Sequence, residues 1–149
     1  SENTCNEIQK WWEHEIFKVK SIQIRIQTGL YFYAKALNEP DATNAFLDFF
    51  SAIDAFAGID GKVGKSIKTL IIFILWNTPK TIEFWENIYA LRNDLTHGGC
   101  RTISEWKGLH YYRKLNNTLG IPTTKMQKLL PDIIKKLPCF YTENKAEYT

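Results

Sequence analysis

Long hydrophobic runs are missing from this chain: the longest, Leu70-Ile71-Ile72-Phe73-Ile74-Leu75-Trp76, has seven residues. A bilayer-spanning helix needs about 20, so this run reads as a buried helix segment, with no membrane partner. No secretory signal pattern precedes it. Cysteine is scarce too. Cys5, Cys100 and Cys139 are odd in number and widely spaced, which argues against a disulfide framework and favours a reducing, cytoplasmic setting. Methionine occurs once, at Met126. Without an initiator Met, the sequence reads as an excised or processed domain, part of a longer protein. Internal repeats and low-complexity segments are also lacking.

What is present is a core. Of the 149 residues, 44% are hydrophobic and 14% aromatic, enough for one domain and too few residues for two. Charge is unevenly spread. Residues 1–61 carry five Lys/Arg and nine Asp/Glu, whereas residues 62–149 carry fourteen and seven. The basic part suits an anionic partner such as RNA, and equally a solvated Lys/Arg surface.

Periodicity gives helices. Ile8, Trp12, Ile16, Val19, Ile22, Ile26, Leu30, Tyr33 and Leu37 recur in steps of three and four, predicting one long first helix. The local alternation of Ile22, Ile24 and Ile26 is strand-like but shorter. A second helix runs from residue 42 to near Gly58, and a third through the apolar block to Asn77. Thr78-Pro79 reads as an N-cap followed by proline at the first helical position. The fourth helix then runs to about Thr96, stopped by Gly98. Thr102 and Glu105 fit a capping box that opens a fifth helix through Leu115. Thr124 with Gln127 is a second box, and Pro131 predicts two short helices rather than one. The expectation is an all-α bundle of five or six helices, one domain over 1–141, with a flexible tail over 142–149.

The chemistry concentrates in Leu91-Arg92-Asn93-Asp94-Leu95-Thr96-His97-Gly98-Gly99. Phe84, Ile88, Leu91 and Leu95 share one arc of the fourth helix, its core face. Asn93 and His97, four apart, lie roughly opposite, with Arg92 on the flank beside Trp85 and Tyr89. Arginine binds phosphate bidentately. Histidine exchanges a proton near neutral pH, and the helix C-terminus favours its imidazolium form. Gly98 and Gly99 add no bulk, so a large ligand can approach. A purely structural arrangement is also open: Arg92 pairing with Asp54, Asp94 or Glu86, and His97 capping the helix.

Arg92-Asn93-xxx-His97 resembles the Arg-x4-6-His signature of HEPN domains, with the polar second residue common among nuclease members. The run from Leu91 to Gly98 looks most like the Apea-like branch. The helix Phe50-Ser51-Ala52-Ile53-Asp54-Ala55-Phe56 is similar to the family's preceding helix, with Asp54 where an acidic residue often stands. The resemblance covers residues 42–112 in helix order, and only the short motif is specific. It implies a helical domain that forms a homodimer, bringing two motifs together. It also implies cofactor-free, metal-independent RNA cleavage that leaves a 2′,3′-cyclic phosphate. His97 would be acid or base, Arg92 would stabilise charge at phosphorus and Asn93 would orient the phosphate, with Asp54, Gly98 and Gly99 in support. Lys62, Lys65, Arg101 and Arg113 are the candidate RNA contacts. Such domains often serve toxin–antitoxin or antiviral systems, so an antitoxin is an expected partner. The alternative is a non-catalytic HEPN module for dimerisation or for binding RNA or a nucleotide.

Other signals are weaker. Gly58-Ile59-Asp60-Gly61-Lys62-Val63-Gly64-Lys65-Ser66 misses the phosphate-loop spacing by one residue and follows a helix. Lys62, Lys65 and Lys68 share a helical face. His97 and Cys100 are neighbours, but no second ligand pair lies near them for zinc. Trp106, His110 and Arg113 allow base stacking as readily as core packing.

Overall fold

The computed structural model describes residues 2–149. Helices α1 (Glu2–Trp12), α2 (Lys20–Leu37), α3 (Ala42–Ala57), α4 (Val63–Leu75), α5 (Pro79–His97), α6 (Leu109–Leu115), α7 (Pro122–Glu143) and α8 (Lys145–Tyr148) follow one another, with 3-10 turns at Glu15–Lys18 and Ile103–Glu105. No strand occurs among the described residues. The fold is all-α, with more helices than the pattern predicted.

Helix α3 is central, packing against α2, α4 and α7. Its apolar residues encircle much of the helix: Phe46, Phe49, Ile53 and Phe56 are at most 1% exposed, and each contributes about 1.5–3 kcal/mol by burial. Asp41 caps its start by accepting the Asn44 N–H at 2.8 Å. Gly29 lets α2 come close, because the Phe56 ring occupies the place a Cβ would take. Among the described residues, no helix is long and apolar enough to cross a membrane.

Five expectations are corrected. The single first helix is broken between Trp12 and Lys20. His14 and Val19 adopt extended ψ angles of 133° and 120°, and His14 Nδ1 accepts the Ile16 N–H at 3.2 Å. A straight helix would point Trp11 and Phe17 about 120° apart. The break instead brings their rings to 4.4 Å and buries both Ile16 and Phe17.

The Thr102–Glu105 capping box is absent. Glu105 instead takes the Arg101 backbone and guanidinium, and Ile103 N–H donates to Thr43 Oγ1 on α3 at 3.1 Å. The chain makes a 3-10 turn there, and only then starts α6.

Pro131 does not split α7, which holds both Pro131 and Pro138. A helical proline deprives the carbonyl four residues back of its donor. For Pro138 that carbonyl is Ile134, and the Trp11 indole N–H supplies the missing bond at 2.8 Å. For Pro131 it belongs to Gln127, an exposed residue that water can reach. Thr124 and Gln127 form no box, because Pro122 opens the helix.

The tail over 142–149 is anchored, not flexible. Residues Lys145–Tyr148 are helical, Tyr148 is buried, and its hydroxyl donates to the Ala57 carbonyl at 2.8 Å. Ser21 Oγ donates to the Tyr148 carbonyl at 2.8 Å.

Candidate active site

Local signals define the helix that carries the motif. Thr78 caps α5 by accepting the Thr81 N–H at 3.2 Å, with Pro79 in the first turn. At the far end Gly98 has φ 82°, the left-handed conformation that glycine adopts without a Cβ penalty. Gly98 and Gly99 both donate to the Asp94 carbonyl. Phe84, Ile88 and Leu91 are buried as the arc predicts, and Leu95 is half-buried. Trp85 departs from its flank position: it is buried, stacked between Phe50 at 6.4 Å and Tyr89 at 4.9 Å.

Arg92 follows Trp85 towards α3. Its guanidinium carbon lies 5.6 Å from the Phe50 ring centroid, and Nη1 donates to Asn93 Oδ1 at 3.2 Å. Among the described residues, no carboxylate lies within 4.0 Å of it, so the expected alternatives of ion pairs with Asp54, Asp94 or Glu86 are not formed. Asp54, one turn beyond Phe50 on α3, is half-buried. Burial pushes its carboxyl above the usual range, while the positive charges of Arg92 and then Arg25 pull the other way and Asp60 adds to the rise. Desolvation outweighs attraction because neither arginine touches the carboxylate.

Arg25 was not singled out in the sequence. Its Nη1 donates to the Gly58 carbonyl at 2.7 Å, and its guanidinium sits 4.8 Å above the Tyr148 ring. The available signal was its place between Ile22 and Ile26, at the edge of the buried stripe of α2.

His97 is exposed, and its ring takes part in none of the hydrogen bonds or ion pairs among the described residues. Helical geometry places it about 7.5 Å along the axis from Arg92 and about 140° around it. Asn93 lies between, one turn from His97 on the same side. Within one chain the imidazole and guanidinium therefore do not converge; Asn93 links their two directions. Space beside the site is open, since a Cβ on Gly98 would meet nothing within 4 Å. Gly99 is tighter, with Asp94 Oδ1 3.0 Å from the Cβ position.

The other basic residues are dispersed. Lys62 and Lys65 line a small cleft of about 140 Å³ with Ser66 and Tyr148, and Lys62 stands 4.0 Å from Glu147. Arg101 is tied to Glu105 at 3.0 Å. Arg113 Nε donates to the Gly120 carbonyl at 3.1 Å and so braces the loop before α7. Trp106 and Tyr112 are buried and cannot receive a base. A larger apolar groove of about 750 Å³, lined by Trp11, Trp12, Leu30, Tyr33 and Ile134, lies between α1, α2 and α7. Neither hollow is lined by Arg92, Asn93 or His97.

Comparison of the chain with protein-family models, curated proteins and solved structures gives no match.

Proposed function

We propose that this protein is a metal-independent endoribonuclease of the HEPN type, working as a homodimer at the Arg92–Asn93–His97 end of α5. One observation carries the reading. A guanidinium is held to a neighbouring carboxamide at 3.2 Å, and that carboxamide stands one turn from an unpartnered, exposed imidazole, at a helix end closed by glycine.

The chemistry follows from these groups. His97 takes the proton from a ribose 2′-hydroxyl as its oxygen attacks the adjacent phosphorus. The O2′–P bond forms and the P–O5′ bond breaks, leaving a 2′,3′-cyclic phosphate and a 5′-hydroxyl. The 5′-oxygen needs a proton as it leaves. A single imidazole cannot accept and donate in the same step, so the second copy's His97 supplies it. Arg92 and Asn93 direct N–H donors at the phosphoryl oxygens, where negative charge grows. The open surface beside His97 supports pairing of two such ends, and the chemistry benefits from it. A cytoplasmic defence role, with an antitoxin or further domains as partner, is the biological setting this reading suggests.

The test is RNA cleavage in EDTA with analysis of the ends. Cyclic phosphates are expected. His97→Ala should lower the rate by about 10²–10⁴, the usual worth of a general acid or base, and Arg92→Ala by a comparable factor. Because His97 is exposed, its loss leaves the fold intact. Wild-type rates in His97→Ala would end the proposal.

The half-buried seat of Arg92 over Phe50 favours a second reading, a HEPN module that pairs or binds RNA or a nucleotide without cutting. Intact RNA at high protein concentration, with the dimer present, would select it.

A further inference from the structure

The loop between α4 and α5 contains a tryptophan where the backbone disfavours one. Trp76 has φ 71° and ψ 158°, a region essentially reserved for glycine and strained for any other residue. Its side chain gains nothing from burial in exchange, since the residue is 75% exposed. The strained position therefore carries a large planar ring exposed to water.

Two lysines lie against the first turns of α5 that follow. Lys80 lies in the first turn of α5 and is exposed. Lys125, from the first turns of α7, is half-buried. Its ammonium sits 4.3 Å from the Phe84 ring centroid and donates to Asn116 Oδ1 at 3.0 Å. Phe84 and Lys80 are one turn apart on the same side of α5, so the two ammonium groups are neighbours; burial, and then the charge of Lys80, lowers the Lys125 pKa. Among the described residues neither is paired with a carboxylate, and Glu83, one turn along α5 from Lys80, forms no ion pair. An anion between the lysines would relieve their repulsion.

We propose that Trp76, Lys80 and Lys125 form a second contact for single-stranded RNA, with a base stacked on the Trp76 indole and a phosphate held between the two ammonium groups. An exposed aromatic ring four residues before the first of two neighbouring cations fits the way proteins hold unpaired strands without reading sequence, by stacking bases and attracting the backbone. The proposal rests on the RNA-directed reading above and adds to it an anchor at the opposite end of α5 from His97. Helix geometry separates the two by about 26 Å, a span several nucleotides of extended strand can bridge.

The experiment measures binding of a fluorescein-labelled single-stranded RNA of about ten nucleotides by anisotropy, in a His97→Ala background so that the probe stays whole. Trp76→Gly relieves the backbone strain, so its melting temperature should equal or exceed that of the parent. Its RNA affinity should fall about tenfold, the usual worth of one stacked base. Lys80→Ala should weaken binding and flatten its dependence on salt. Parental affinity in both variants would overturn the proposal, as would failure of the parent to bind the RNA. A change in self-association in Trp76→Gly, with RNA affinity intact, would overturn it in favour of a protein-facing surface. If both variants lose affinity while the His97-containing protein fails to cut RNA, this contact stands and the nuclease reading falls.

Discussion

Replacing Tyr148 tests whether the last turn of the chain belongs to the fold. The residue is 6% exposed and packs its ring 5.6 Å from Phe140 and 5.3 Å from Tyr141, centroid to centroid. Its hydroxyl donates to Ala57, and Arg25 lies across its other face at 4.8 Å. Truncating a buried aromatic ring costs about 3–5 kcal/mol. Tyr148→Phe isolates the hydroxyl: it leaves the Ala57 carbonyl without its donor, at about 1–2 kcal/mol. Urea denaturation followed by circular dichroism reads both. The alanine variant should lose at least about 3 kcal/mol, or roughly 6–12 °C in melting temperature for a domain of this size. The phenylalanine variant should fall in between. Burial raises the phenol pKa to about 12, so neither loss should vary with pH near neutrality. An alanine variant within about 0.5 kcal/mol of wild type would refute the anchoring and restore a frayed tail.

Two further outcomes follow from single contacts. Because burial raises the folded-state pKa of Asp54, its contribution to stability is present when it is protonated and is lost as pH rises through that value. Asp54→Asn should therefore raise the melting temperature near neutral pH, with the gain fading on acidification; a loss of stability at neutral pH would mean that attraction to Arg92 and Arg25 outweighs desolvation. Trp11→Phe keeps an aromatic ring against Phe17 but removes the bond to the Ile134 carbonyl that Pro138 has orphaned; it should cost about 1–3 kcal/mol in urea unfolding, and no change would show that water replaces the indole there.

Much of α5 was legible from its residues. Thr78-Pro79 starts it, Gly98 ends it, and Phe84, Ile88 and Leu91 bury one arc as their spacing requires. These signals act within about one helical turn, through backbone groups the helix itself leaves unpaired. The exposure of His97 followed from the same wheel. The seat of Arg92 did not, because it depends on Phe50 and Asp54, some forty residues earlier and on another helix. Arg25 was overlooked for the same reason. Its partners, Gly58 and Tyr148, are 33 and 123 residues away in the chain.

The errors share a cause. Proline within a helical pattern and a polar C-terminal stretch each carry a local penalty, and each penalty is met from a distance. Trp11 repairs the carbonyl that Pro138 leaves bare, and the buried Tyr148 ring ties the chain's end to α3. Likewise, the nine-position stripe from Ile8 to Leu37 was a sound helical pattern, but burying Ile16 and Phe17 together required a bend.

The sequence by itself determined that the chain is helical, where α3 and α5 begin and end, and that an arginine, an asparagine and a histidine share the last turns of one helix. Caps and periodicity are short-range, so a linear reading captures them. Only the tertiary structure decided that Arg92 leans over Phe50 while His97 stays in water, that α7 runs through two prolines, and that the tail is held. Those outcomes turn on desolvation and hydrogen bonds between residues far apart in sequence, whose free energy exists only once the helices have met.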